Sequence, residues 1–192
     1  MKKLILATHN GGKVQELQLL LKPIGIEVLS SKDFNLIEPI EDGETFEANA
    51  LIKAKSVFEA TGISTLADDS GLMVSCLDGR PGVYSANWLG PQKDPLVAMA
   101  RLQKEVADSQ NLTAKFVTVL AFLNGGAPDF FKGECVGTLT FPPRGDQGFG
   151  FDPVFIPEGE TRTFAQMTKL EKMAISHRGK ALHAFLEFLK NG

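Results

Sequence analysis

The chain has 192 residues, 43% hydrophobic and 22% charged, with 20 Lys and Arg against 23 Asp and Glu for a formal net charge of -3. That balance fits one globular domain spanning 1-192, and its slight acidic excess excludes a protein whose main task is to neutralise a nucleic-acid backbone. The 2 cysteines, Cys76 and Cys135, cannot build a disulfide framework or a zinc cluster, and no apolar run is long enough for a signal-peptide core or a membrane span, so the expectation is a cytoplasmic protein with a small-molecule partner, no nucleic acid and no membrane.

In chain order, Leu4 to Leu6 run as a buried strand into the polar turn Thr8-His9-Asn10-Gly11-Gly12, and Val14, Leu17, Leu20 and Leu21 share one face of the helix that follows. Lys13 then sits at that helix's positive amino end. Ile26, Val28 and Leu29 predict a second strand, and Thr45 is an N-cap for a long helix to about Ala60, closed by Gly62. A short strand over Ile63 to Ala67 should end at Asp68-Asp69-Ser70-Gly71, placing two carboxylates at a strand's carboxyl end, where ligands gather in open α/β sheets. Asp94 and Pro95 start a helix to about Val106, and Phe116 to Leu123 and Phe130 to Thr140 read as paired strands around Asn124-Gly125-Gly126. Arg144 to Asp152 is a glycine-rich loop, Thr168 and Glu171 have capping-box spacing, and Leu182, Phe185, Leu186 and Leu189 mark a terminal amphipathic helix.

Four segments carry residue types suited to chemistry. Thr8 to Lys13 combines a flexible turn, backbone N-H groups and a lysine, which suits a phosphate, although Ala7 and Val14 stand where a Walker A loop needs glycine and serine or threonine. The same turn can equally be strand-to-helix geometry with a solvated lysine. Asp68 and Asp69 offer hard oxygen ligands to a divalent cation such as Mg²⁺, with Asp69 favoured for the metal and for activating water and Asp68 in support, and one acid of the run from Glu38 to Glu47 can complete the set. An ordinary Asp-Ser-Gly turn is the competing reading. Lys172 with Ser176-His177-Arg178-Gly179-Lys180 gathers positive charge and donors near a helix start, or is simply an exposed basic helix. Gly148-Phe149-Gly150-Phe151-Asp152-Pro153 sets aromatic faces beside an acceptor, suited to a planar base, unless both rings are core. Together the segments form a complementary set for a polyphosphate, its metal and a base, expected to converge on one crevice.

These ordered motifs, with Glu41 and Gly43-Glu44-Thr45-Phe46, Glu47-Ala48-Asn49-Ala50 and Pro81-Gly82-Val83-Tyr84-Ser85-Ala86, resemble the inosine triphosphate pyrophosphatase family, also described as XTP/dITP diphosphatases, over nearly the whole chain. The resemblance implies an α/β fold with a long twisted mixed sheet flanked by helices, two lobes with a central cleft, a homodimer, and Mg²⁺. It implies hydrolysis of non-standard purine nucleoside triphosphates (ITP, dITP, XTP) to the monophosphate and pyrophosphate. Carried over by position, Thr8, His9, Asn10, Gly11, Gly12, Lys13 and Lys53 would bind phosphates, and Glu41 and Asp69 the metal, with Asp69 as proton acceptor. Ser70, Phe149, Gly150, Phe151, Asp152, Lys172, His177 and Arg178 would contact substrate. Asn87 departs from the pattern, since many relatives carry arginine after Tyr-Ser-Ala. Two rival readings are a phosphatase for other nucleotides and a non-catalytic nucleotide sensor; Glu41, Asp68 and Asp69 speak against the second, which needs no paired acids.

Overall fold

The computed structural model describes residues 1-191. In chain order its main elements are β1 (Lys3–Leu6), α1 (Gly11–Leu21), β2 (Glu27–Ser30), α2 (Phe46–Thr61), β3 (Thr65–Val74), α3 (Pro95–Glu105), β4 (Thr113–Leu123), β5 (Asp129–Leu139), β6 (Phe155–Pro157), α4 (Lys169–Ile175) and α5 (His177–Asn191). The strands form one sheet in the order β2-β1-β3-β4-β5-β6. It is mixed, because β1 runs parallel to β2 and β3 whereas β6 is antiparallel to β5.

Helix boundaries follow local chemistry. Asn10 caps α1 by accepting from the N-H groups of Gly12 and Lys13, and Thr45 caps α2 by accepting from Ala48. Gly62 ends α2 at φ 66, a left-handed conformation that glycine adopts without a side-chain clash. Asp94 caps α3 with Pro95 behind it, and Thr168 and Glu171 form a complete capping box on α4.

β3 departs from the sequence expectation. It does not stop before Asp68 but continues to Val74, so Asp68, Asp69, Ser70 and Gly71 lie inside the strand. Leu72 and Val74 are core residues that draw the strand onward, and the Leu72 N-H is taken by the Ser85 hydroxyl at 2.9 Å. The neighbouring strand does end early: β1 pairs with β3 at Ile5↔Thr65 and Leu6↔Leu66 and stops at Leu6. Asp68 therefore lies just past the carboxyl end of β1, the place where α/β sheets collect ligands.

The chain divides into two compact units. The first comprises Met1–Asp69, Val119–Phe131 and the described residues from Ala184 on; the second comprises Ser70–Thr118 and Lys132–His183. The first buries Leu4, Ile5 and Leu6 of β1 with Leu17 and Leu21 of α1 and Ala50 and Ala54 of α2. The second has its own core, built around Leu72, Trp88, Leu102, Phe116, Phe155 and Phe164. Burial of such side chains is the main stabilising term, worth about 1.5–3 kcal/mol for each large one.

Candidate functional site

In the first unit the turn after β1 brings its polar groups together through its own hydrogen bonds. The Asn10 N-H donates to Thr8 Oγ1 at 3.2 Å, and Asn10 Oδ1 receives the N-H groups of Gly12 and Lys13 at 2.9 and 3.3 Å. The amino end of α1 is thus ordered before any ligand arrives, and it carries the helix's partial positive charge. Ser30 Oγ donates to the Thr8 carbonyl at 2.7 Å, which ties the turn to the end of β2. His9 lies at the exposed edge, with Nε2 3.0 Å from the Leu36 carbonyl oxygen.

Two ion pairs then draw helices α1 and α2 onto β3. Lys13 Nζ donates to Asp68 Oδ2 at 2.7 Å, and Lys53 Nζ lies 3.6 Å from Asp69 Oδ1 and 2.7 Å from Glu41 Oε2. Neighbouring residues on a strand face opposite sides, so each acid meets a lysine from a different helix. Both aspartates are buried. Burial by itself would push the Lys53 ammonium toward neutrality, but Asp69, Asp68 and Glu41 outweigh that cost and hold its pKa above 10.5. Lys53 is therefore a fixed cation between two carboxylates. Gly43 seats the Glu41 loop on α2: its N-H donates to Asn49 Oδ1 at 2.8 Å, and a Cβ there would come within 2.6 Å of the same oxygen.

Glu41 and Asp69 thus share one cation already. Among the described residues no three or more His, Cys, Asp or Glu side chains gather as a metal-binding group. Magnesium is suited by less, since it is commonly held by one or two carboxylates with substrate oxygens and waters completing its shell. The hard oxygen donors present, one on a buried strand and one on a loop, fit such a metal.

In the second unit Asp152 is the centre of a smaller cluster. Its carboxylate is buried, pairs with Lys172 Nζ, and accepts the Phe149 N-H at 2.8 Å. Burial pushes this carboxyl above the usual range, and Lys172 partly draws it back. Gly148, at φ 78, leaves the space the carboxylate needs, because a Cβ there would lie only 2.0 Å from Asp152 Oδ2. The two phenylalanines read as a stacking pair are divided: Phe149 is 65% exposed with Lys172 Nζ 4.7 Å from its ring, while Phe151 is 4% exposed within the core. Gly150, between them, takes φ 60.

Lys172 is carried by α4, whose start is held by Arg162 donating to Glu171 at 2.8 Å; this contact and the Thr168 cap lower the Glu171 carboxyl to about 2. His177 and Arg178 open α5 and are buried, and the Ser176 hydroxyl accepts the Gly179 N-H at 3.1 Å. Ser70 meets the buried Thr118 hydroxyl at 2.7 Å. Thr118 was not singled out in the sequence; in an apolar strand a threonine reads as a β-former. Asn87 is exposed, and the guanidinium of Arg101 lies 4.0 Å over the ring of Trp88, so this surface keeps a positive charge without an arginine at 87. A concavity of about 480 Å³ beside Cys135 and Glu158 takes in Lys180 of the candidate segments and none of the acids read as metal ligands.

A sequence profile of the Ham1 family matches residues 4–188. The chain is 52% identical over 185 residues to the dITP/XTP pyrophosphatase of Gluconobacter oxydans, covering 96% of this chain and 89% of that one. It is 44% identical over 203 residues to the dITP/XTP pyrophosphatase of Rhodopseudomonas palustris, covering 99% and 97%. Among solved structures, a HAM1 protein from Coxiella burnetii superimposes with a TM-score of 0.95 at 35% identity over 100% of both chains. A nucleoside-triphosphatase, dITP/XTP pyrophosphatase, from Mycobacterium abscessus gives 0.81 at 40% identity over 96% and 98%. With a family match over almost its entire length, and relatives this similar across it, the chain belongs to the Ham1 family.

Proposed function

We propose that the protein hydrolyses non-standard purine nucleoside triphosphates, ITP, dITP and XTP, to the monophosphate and pyrophosphate, the whole chain serving as one catalytic domain. The observation that carries this reading is Lys53 held between Glu41 and Asp69, with Lys13 on the adjacent Asp68. Cations for a polyphosphate, from α1 and α2, and carboxylates for its metal, from β3 and the Glu41 loop, are interleaved there. A binding module would gain nothing from placing acids where an anionic ligand must arrive.

Glu41 and Asp69 would hold Mg²⁺, which supplies charge neutralisation and Lewis-acid polarisation of the triphosphate when bound. Asp68 supports the pair by fixing Lys13. The N-H groups and side chains of Thr8 to Lys13, together with Lys53, bind the phosphates and oppose the charge that builds on the departing pyrophosphate. Asp69 accepts a proton from the attacking water; the water oxygen forms the new bond to the α-phosphorus as the bond to the bridging oxygen breaks, and pyrophosphate leaves with that bridging oxygen.

The second unit recognises the base. Phe149 presents an exposed ring for stacking, and Lys172, His177 and Arg178 are donors for a 6-oxo group, which hypoxanthine and xanthine carry where adenine has an amino donor. Ser70, Gly150 and Asp152 complete the contacts; Phe151 contributes from the core, beneath the loop. Two free cysteines suit a reducing cytoplasm, and a homodimer is inferred as its working form. Pyrophosphate release from inosine, xanthosine, guanosine and adenosine triphosphates, with and without Mg²⁺, tests the reading. Metal-dependent release led by ITP and XTP supports it; equal turnover of ATP rejects it.

A further inference from the structure

Beneath the candidate base-reading groups, the second unit holds a closed aromatic cluster. Phe116 of β4, Phe155 of β6 and Phe164 of the turn 164–166 have ring centroids 4.8, 5.2 and 5.9 Å apart, and all three are buried. Two polar groups rest on it. The His177 ring stacks on Phe116 at 4.7 Å with 11° between planes, and Lys172 Nζ lies 5.2 Å from the Phe164 ring. His177 also lies 6.3 Å from Phe164, so Phe164 touches the surroundings of both.

The backbone around the cluster leaves little freedom. Thr163 and Gln166 form a capping box on the turn that carries Phe164, and Thr163 Oγ1 donates to the Arg144 carbonyl at 2.6 Å. The Gln147 N-H donates to the Ala165 carbonyl at 3.0 Å, which ties the loop ahead of Phe149 to the same turn. Gly133 of β5 packs directly on the first turn of α5, where a Cβ would meet the His177 carbonyl oxygen at 1.9 Å.

Selecting one purine over another by a hydrogen bond requires a donor that cannot move. A wrong base is rejected because it leaves buried polar groups unpaired, and a loose donor simply turns toward water and escapes that penalty. Lysine, with four carbons of flexible stem, is poorly suited to the task unless its ammonium is held. Here Asp152 holds it by charge, and the aromatic faces of Phe149 and Phe164 hold it by cation-π attraction.

We propose that Phe164 and Phe116 are specificity-positioning residues: their buried rings fix Lys172 and His177 relative to each other and so set the preference for a 6-oxo over a 6-amino purine. This deepens the reading of Lys172 and His177 as base contacts and rests on it. Neither phenylalanine needs to touch substrate. Their effect falls on discrimination between bases, whereas the acids and lysines of the first unit act on turnover of every substrate.

The test compares kcat/KM for ITP and ATP in Phe164→Leu, Phe116→Leu and a control, Phe185→Leu, at a temperature where circular dichroism shows each folded. Phe185 is equally buried but packs with Phe122 and Phe131 in the first unit. The ITP-to-ATP ratio is expected to fall about tenfold in the Phe164 and Phe116 variants and to hold in the control, although all three melt earlier. If Phe164→Leu does not fold, Phe116→Leu decides alone. Lys172→Ala and His177→Ala test the base contacts themselves. Should they collapse the ratio while Phe116→Leu and Phe164→Leu keep it, the positioning role is overturned; should they too leave it unchanged, the base-contact reading fails and the positioning role with it.

Discussion

Lys13 and Asp68 stand 55 positions apart in the chain and meet at 2.7 Å, the carboxylate almost fully buried and the lysine only a quarter exposed. Replacing Lys13 by methionine removes the ammonium while the buried charge stays. Unfolding free energy in urea should fall by about 2–3 kcal/mol, below the cost of breaking a fully buried pair because water still reaches the lysine. Adding Asp68→Asn to the same chain should recover most of the loss. A double variant no more stable than Lys13→Met alone means that Asp68 is not the group that charge serves.

Lys53 supplies the pH test. Its ammonium is favoured in the folded protein, against burial, by Asp69, Asp68 and Glu41. Its contribution to stability is complete below 10.5 and is lost as the pH climbs through the raised folded value. Lys53→Met should therefore be less stable than the parent by about 2 kcal/mol near neutral pH, and the gap should narrow only in strongly alkaline solution. A gap that closes between neutrality and pH 10.5 contradicts the assignment.

Ser70 and Thr118 make a hydroxyl pair at 2.7 Å on neighbouring strands β3 and β4. Thr118→Val keeps the shape and removes the oxygen that the Ser70 hydroxyl meets. A fall of about tenfold in kcat/KM for ITP is expected, with Thr118→Ser restoring it. If the valine variant matches the parent, Thr118 matters only for packing.

Much of the local structure was legible because its signals are local. The caps at Thr45, Asp94 and Thr168, and the glycine that ends α2, each depend on residues within one turn of the boundary. β3 was misjudged for the complementary reason. Two aspartates and a serine look like a turn in isolation, yet Asp68 and Asp69 reach lysines delivered by α1 and α2, so the strand can run on through them. Residue types nominated Lys13, Asp68 and Asp69, and the family resemblance added Lys53, but neither could say which lysine meets which acid.

The base-reading segment shows the same division. Phe149 and Phe151 are equivalent by composition and spacing, and only the tertiary packing sends one to solvent and the other into the core. Phe116, Phe164 and Thr118 carried no polar pattern or motif that would separate them from ordinary core residues. Their roles come from what packs on them: a histidine, a lysine and a serine distant in the chain.

In the proposed reaction Asp69 takes the proton from water and pyrophosphate is released. Asp69→Asn conserves shape and removes the base, so the decisive measurement is pyrophosphate released from ITP with Mg²⁺ by this variant, beside its melting temperature. The expected result is a loss of about 10²–10⁴-fold in kcat in a protein that remains folded. Turnover within a few-fold of the parent would rule Asp69 out as that base.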